Sequence, residues 1–429
     1  MPPCRRSFAA LAHPFAFAAA GLVWIVASAS VVATGASAQS PAASAPGQVG
    51  AQEPPAASAK DATPEQGAGA KTGADAPGAP DAVALKAACL EEIETARADR
   101  REMADAVLAC QDAVRAGPED TDLTYRYGQL LSDALVFDEL AVLQFRKAAA
   151  AGHAEAQNAL GIALVNGRGA PPDAAAGIAW IEKAAGRGVA DAANNLGSIH
   201  AAGIGVPKDL EKAATWFRKA AEAGDAQGEY NLAEAYAFGE GIGQDWPTAI
   251  TWYEKASGHG MARADYRLSR IYAEGLGTKA DPPRGFASLA KAAEGGYPPA
   301  AFDLGNAYRT GNGVVSDAAE AQRWYRVAAT RGHASAQFYL GLGLTQERQF
   351  DEGGEWLQRS AEQGHPDAQY MLGLFHEEGI GGHQPDPGMA ADWYRKAAAQ
   401  GQKDAAAALE KLGGGSHDET DPSGQEKVP

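Results

Sequence analysis

VADAANNLGSIHAAGIGVPKDLEKAATWFRKAAEAG, residues 189–224, decides the fold. Its first half places Ala192, Leu196 and Ile199 at i, i+4 and i+7, one stripe of a helix. Gly203-Ile204-Gly205 stops that helix, because glycine accepts the positive φ of a C-terminal cap. Asp209 stands where its carboxylate can accept the free N–H groups of a second helix. The second helix carries Ala213, Trp216, Phe217, Ala220 and Ala221 on one stripe, and Gly224 ends it. Gly197, directly after Leu196, lets the two helices approach closely, and Trp216 is expected to fill the gap beside it.

The same unit recurs along the chain. Leu160, Leu196, Leu232, Leu268, Leu304 and Leu340 are each 36 residues apart, and Leu372 follows 32 later. A small residue succeeds every one of them: Gly161, Gly197, Ala233, Ser269, Gly305, Gly341 and Gly373. Columns of Asp (Asp173, Asp209, Asp245, Asp281, Asp317) and of Trp (Trp180, Trp216, Trp252, Trp324, Trp356, Trp393, with Leu289 one place late) keep step. Closing glycines run from Gly188 to Gly401. A period in this range means a repeat array. One hairpin cannot cover its own apolar face, so hairpins must stack and share a core.

Ala192 to Val206 and then Ala213 to Gly224 follow the pattern A-x-x-x-L-G-x-x-Y-x-x-G-x-G-V, Asp, A-x-x-W-Y-x-K-A-A-x-x-G, with His200 in place of the Tyr. On these residues the chain resembles the Sel1-like repeat family, a relative of the tetratricopeptide repeat. The resemblance implies an all-α fold, a right-handed superhelical solenoid of helical hairpins, over residues 121–401. Three units depart from the pattern. Thr121–Gly152 has Tyr127-Gly128 for Leu-Gly and lacks the Gly-x-Gly turn; His333–Gly364 is four residues short and also lacks it; His365–Gly401 carries one extra residue.

Outside the array the composition changes. Residues 1–38 read as an export signal: Arg5 and Arg6, an uncharged apolar run from Phe15 to Ala33, then Ala36-Ser37-Ala38 for cleavage. The alternative is an uncleaved membrane anchor, the one route by which this chain would meet a membrane. Residues 39–81 are rich in Ala, Pro, Ser and Gly and are expected to stay unfolded, as is the tail 413–429. Residues 82–120 should form a helical cap, with helices around 83–96 and 102–116, and 402–412 a closing helix. The implied location is a bacterial periplasm or the exterior. There Cys89 and Cys110 invite a disulfide, and cysteine-paired caps precede such repeats in some similar exported proteins; two buried free thiols are the alternative.

The formal charge, 37 basic against 54 acidic residues, is −17, which disfavours a nucleic-acid partner. No nucleophile–base motif is visible, so no catalytic residue, cofactor or metal site is assigned. The Gly-x-Gly segments lack the preceding strand a phosphate loop needs. His376, Glu377, Glu378 and His383 form only a weak metal pattern across a glycine-rich turn. His153, His333 and His365 recur at the first place of a unit and so read as structural.

The sixth place of each unit holds Asn158, Asn194, Tyr230, Tyr266, Phe302, Phe338 and Tyr370. The five aromatics either line a groove that receives a peptide or partner helix, with Arg263, Arg270 and Arg309 nearby, or pack between neighbouring helices. The resemblance implies a non-enzymatic adaptor for protein partners, with an envelope sensor or assembly protein as the candidate class. A β-lactamase-like or other hydrolase of the cysteine-rich Sel1 type is a second reading, weakened by the absence of cysteine from residues 121–401. Attachment to peptidoglycan or another envelope polymer is a third. Titration of the denatured protein without its signal is expected to find no free thiol; two reactive thiols would remove the bridge.

Overall fold

A computed structural model describes residues 81–134, 137–381 and 384–414. The expected signal and linker, up to residue 80, and the tail beyond Gly414 lie outside the described residues. Among the described residues there are nineteen α-helices and no strand. The chain divides into two compact units, with a boundary between Lys147 and Ala148.

The smaller unit holds α1 (Ala82–Ala98), a short 3-10 turn (Arg100–Glu102), α2 (Met103–Ala116), α3 (Thr121–Asp133) and most of α4 (Asp138–Ala150). Asp81 caps α1 and Asp120 caps α3 through their carboxylates. Asp120 also takes Lys86 Nζ at 2.6 Å, tying α1 to the start of α3. Cys89 and Cys110 face each other across the α1–α2 hairpin, both fully buried, and are bonded. Gly128 lies against the Phe145 ring, so α3 and α4 already show the close approach that defines the later units.

The larger unit is an all-α solenoid. Each A helix is followed by its B helix: α5 (Ala154–Asn166) and α6 (Ala174–Gly186), α7 (Ala190–Ala202) and α8 (Leu210–Glu222), α9 (Ala226–Phe238) and α10 (Trp246–Gly258), α11 (Ala262–Glu274) and α12 (Pro282–Glu294), α13 (Pro298–Thr310) and α14 (Ala318–Thr330), α15 (Ala334–Gln346) and α16 (Phe350–Glu362), α17 (Pro366–Glu378) and α18 (Pro387–Ala399). Every helix packs on the next in chain order. α19 (Lys403–Gly414) closes the stack by laying Ala405 against Tyr394 and Ala397 of α18.

The turn between A and B helices is fixed by three residues. In the second hairpin Gly203 takes φ 74° as the left-handed cap of α7. Gly205 is also left-handed, and a Cβ there would lie 2.4 Å from the Cβ of Ala174 on the preceding B helix. Asp209 then clamps both helices: its N–H donates to His200 O at 2.9 Å, and its carboxylate accepts Lys212 N–H at 3.0 Å. Asp245, Asp281 and Asp317 repeat the clamp, and so does Asp386, which the shifted spacing of the last two units had hidden from the Asp column.

The expected partner of the small residue is corrected by one position. A Cβ on Gly197 would lie 2.4 Å from the Phe217 ring, not against Trp216. Gly161 meets Ile181, Gly305 meets Tyr325 and Gly373 meets Tyr394 in the same way. One residue is about 100° of helix, so the residue after the Trp faces the A helix of its own hairpin. The Trp turns instead to the core shared between its hairpin and the preceding one. Trp216 packs on the core built from Ile162, Ile178, Ile181 and Leu196. Lysines three residues downstream cover the indoles: Lys183 lies 4.0 Å from the Trp180 centroid, Lys219 3.9 Å from Trp216 and Lys396 3.8 Å from Trp393.

Gly305→Ala should therefore cost about 1–3 kcal/mol, because Tyr325 must shift in a filled core. Gly258, in α10 with open space around it, should accept Ala at no cost or with a gain of up to about 1 kcal/mol. Urea denaturation of the two variants separates the effects; equal midpoints would refute the close-approach account.

Candidate interaction surface

The A helices meet sideways along a seam with its own register. The residue at place six of one unit meets the residue at place seven of the next, 37 positions on. Asn195 Nδ2 donates to Asn158 Oδ1 at 3.2 Å, and Asn231 Nδ2 to Asn194 Oδ1 at 2.8 Å. Arg267 Nε donates to the Tyr230 phenol at 3.2 Å, and the Tyr266 phenol donates to Asp303 Oδ2 at 2.7 Å. Phe302 meets Tyr339 with ring centroids 5.9 Å apart. The seam changes from amide pairs, through charged and phenolic pairs, to aromatic pairs. Sequence reasoning found the place-six column but missed its partners; a spacing of one period plus one was the signal.

This geometry places each ring of the aromatic column. Tyr230 is only 4 % exposed and packs edge-on against Tyr253, so it offers no rung to a partner. Tyr266, Phe302, Phe338 and Tyr370 are half-buried. Tyr266 lies on Tyr297, Phe302 stacks on His333 at 4.6 Å, Phe338 stacks on His365 at 4.8 Å, and Tyr370 tilts over Tyr394. Tyr266, Phe302 and Phe338 thus seal one hairpin to the next, Tyr230 and Tyr370 pack on the B helix of their own hairpin, and all but Tyr230 keep a partly open edge. Of the nearby cations, Arg263 is exposed above the Tyr230 ring and Arg270 pairs with Glu274. Arg309 donates to the Tyr325 phenol at 3.1 Å and lies over Tyr339.

Buried polar groups reinforce the seam. Glu234 takes Arg267 at 2.8 Å and the Tyr253 phenol, joining α9, α10 and α11. Burial, then the Glu234 charge, pushes the Tyr230 phenol up to about 12, so it stays a neutral acceptor for Arg267. Asp265, 4 % exposed, accepts Ser257 Oγ and pairs with Lys291 at 3.0 Å. Burial raises the Asp303 carboxyl above the usual range, opposed by the Tyr266 hydrogen bond. B-helix phenols reach back to their A helices, Tyr325 to Asn306 at 2.9 Å and Tyr394 to Glu377 at 2.6 Å.

The recurring histidines are caps. Nδ1 of His153, His333 and His365 accepts the N–H of Ala156, Ala336 and Ala368 at 3.2–3.4 Å. His376 is buried and its carbonyl accepts Asp386 N–H. His383, the other histidine of the weak metal pattern, lies outside the described residues, among which no group of three or more metal-ligating residues occurs.

The Sel1 repeat model matches seven consecutive stretches, residues 154–189, 190–225, 226–261, 262–297, 298–333, 334–365 and 366–402, more than half of the chain. The chain belongs to the Sel1 repeat family. The match begins at the larger unit, leaving Thr121–Gly152 outside it. Among solved structures the chain is similar to the protective antigen c5321 of uropathogenic Escherichia coli, which displays an SLR fold, at 30% identity and TM-score 0.54, over 71% of this chain and 67% of that one. It is also similar to a Sel1 repeat protein from Oxalobacter formigenes, at 26% identity and TM-score 0.52, over 76% of this chain and 93% of that one. No curated protein matches the sequence. Sel1 repeat proteins generally mediate protein–protein interaction, bind protein partners and are typically non-catalytic.

The histidine caps make the fold sensitive to acid. Nδ1 can accept an N–H only while unprotonated. Burial holds His333 and His365 below the usual histidine range. The unfolded chain takes up these protons near pH 6.5, the folded chain only at lower pH. Their contribution is complete above that pH and is lost as pH falls through the folded values. His333→Asn with His365→Asn keeps a capping acceptor that does not titrate. Urea denaturation at pH 8 and pH 5.5 should show a smaller acid loss in this variant; an unchanged loss would assign the sensitivity elsewhere.

Proposed function

We propose that this Sel1 repeat protein is an exported, non-enzymatic scaffold that holds a partner protein along its A-helix face. One observation carries the reading. Contacts within the hairpins repeat one chemistry with few exceptions: a small residue, Gly in five of the seven, under a B-helix side chain, and an Asp cap on every B helix but α16. The A-helix seam does not repeat; it runs from Asn pairs to aromatic pairs. Stacking asks only that each seam pair be complementary, and one repeated pair would serve every layer, so we read the change of chemistry from layer to layer as recognition.

The exported setting draws support from the signal-like residues 1–38 and from the Cys89–Cys110 pair, an oxidised form suited to a periplasm or exterior. An envelope sensor or assembly protein is the partner class that fits this address. The exposed cations Arg263, Arg270 and Arg309 on a chain of net charge −17 give the face local charge contrast, which directs encounter more than it adds affinity.

Photo-crosslinking in the producing cell tests this. A photoreactive residue replacing Arg263 or Arg270, on α11, should capture one or a few defined proteins. The same residue replacing Glu211 or Glu222, on α8, should capture them weakly. Adducts from α8 alone, or none from either helix, would refute the assignment of the face.

A further inference from the structure

The fifth and sixth hairpins each break the pattern at one place, and the two places open onto one cleft. The residue three after each column Leu is elsewhere a buried apolar filler: Ile199, Ala235, Ile271, Ala307 and Phe375. In α15 it is Gly343. The residue five after each capping Asp is elsewhere apolar, as in Ile178, Ile250 and Phe286; in α14 it is Gln322. The two departures face each other. A Cβ on Gly343 would collide with the Gln322 carboxamide, so the glycine is what admits that side chain. The four-residue deletion falls on the sixth hairpin: α15 passes to α16 through Glu347–Gln349, with Arg348 in the left-handed region at φ 63°.

The result is a cleft of about 230 Å³ between α13, α14 and α15. Tyr325 and Tyr339, stacked 5.3 Å apart, form one wall. Arg309 lies over Tyr339, is exposed, and makes no ion pair with the described residues. Gln322 Nε2 reaches Tyr339 O at 3.5 Å, while Gln322 Oε1 is buried with no hydrogen-bond partner. A buried acceptor left unpaired is costly and calls for an explanation. The cleft therefore presents one cation and an aromatic wall, with one unfilled acceptor just behind its surface, in a volume below that of sites for drug-sized ligands.

We propose that this cleft binds the C-terminal residue of a partner peptide. The terminal carboxylate meets Arg309, the Gln322 carboxamide turns to bring Oε1 to the same residue's N–H, and its side chain lies against the open edge of Tyr339. A terminal residue supplies an anion and a donor at a fixed short separation, and its chain leaves in one direction only, as a cleft walled by three helices requires. The proposal rests on the A-helix face being a protein-binding surface and names one chemistry for it.

The test uses the full chain without its signal on an array of pentapeptides tethered by their N-termini, each printed as free acid and as C-terminal amide. A subset of free-acid peptides should retain the protein, with the amide twins weaker by about tenfold or more. Arg309→Gln should reproduce that loss on the free acids with an unchanged melting temperature. Gln322→Leu, which restores the apolar filler of other hairpins, should weaken the same peptides without unfolding the array. Equal binding of acids and amides, binding unmoved by Arg309→Gln, or no free-acid peptide retained would overturn the proposal and leave the cleft to solvent. Photo-crosslinked partners that persist in Arg309→Gln would then keep the scaffold reading; loss of both would end the two together.

Discussion

Everything in the larger unit depends on how closely an A helix can approach its B helix. Where the small residue is glycine, a B-helix side chain lies where a Cβ would stand. That contact sets the hairpin, the hairpin sets the turn, and the turn sets where the next hairpin lands. Gly205 shows the last step: it needs a left-handed backbone and also a bare Cα, because the preceding B helix begins against it. Alanine is abundant for a related reason. Ala220, Ala256, Ala292 and Ala328 are fully buried at one place of successive B helices, where a larger side chain would hold neighbouring helices apart.

Much of this was legible in the sequence because a repeat tests each position several times over. The columns of Leu, Gly and Asp fixed hairpin length, turn and cap, and the helices fall where they indicated. What the columns could not convey was direction. Trp216 and Phe217 are adjacent letters of one motif, yet about 100° of helix sends one to the core shared with the preceding hairpin and the other against Gly197 of its own A helix. The aromatic column suffered the same ambiguity. Tyr230 and Tyr266 share a place in the pattern, but the partner one period and one residue on is Arg267 for one and Asp303 for the other.

The candidate site was less legible, since it is made of exceptions. Gln322 and Gly343 carry no motif and stand out only when compared with Ile250 and Ile271 at equivalent places. Arg309 was visible as a cation beside the aromatic column, but its position over Tyr339 depends on packing that no linear spacing encodes. Periodic sequence thus exposes scaffold readily and hides function in its irregularities.

The shortened sixth hairpin also has a mechanical consequence. Its B helix, α16, has Gln349 at the N-cap with no side-chain hydrogen bond, and the turn before it holds a non-glycine residue in a left-handed backbone. In a stack where each layer leans only on its neighbours, stiffness is set by the poorest joint rather than by the average. Under heat the turn Glu347–Gln349 and the first residues of α16 would fray before the clamped turns of the other layers, while the packed faces of α15 and α16 hold.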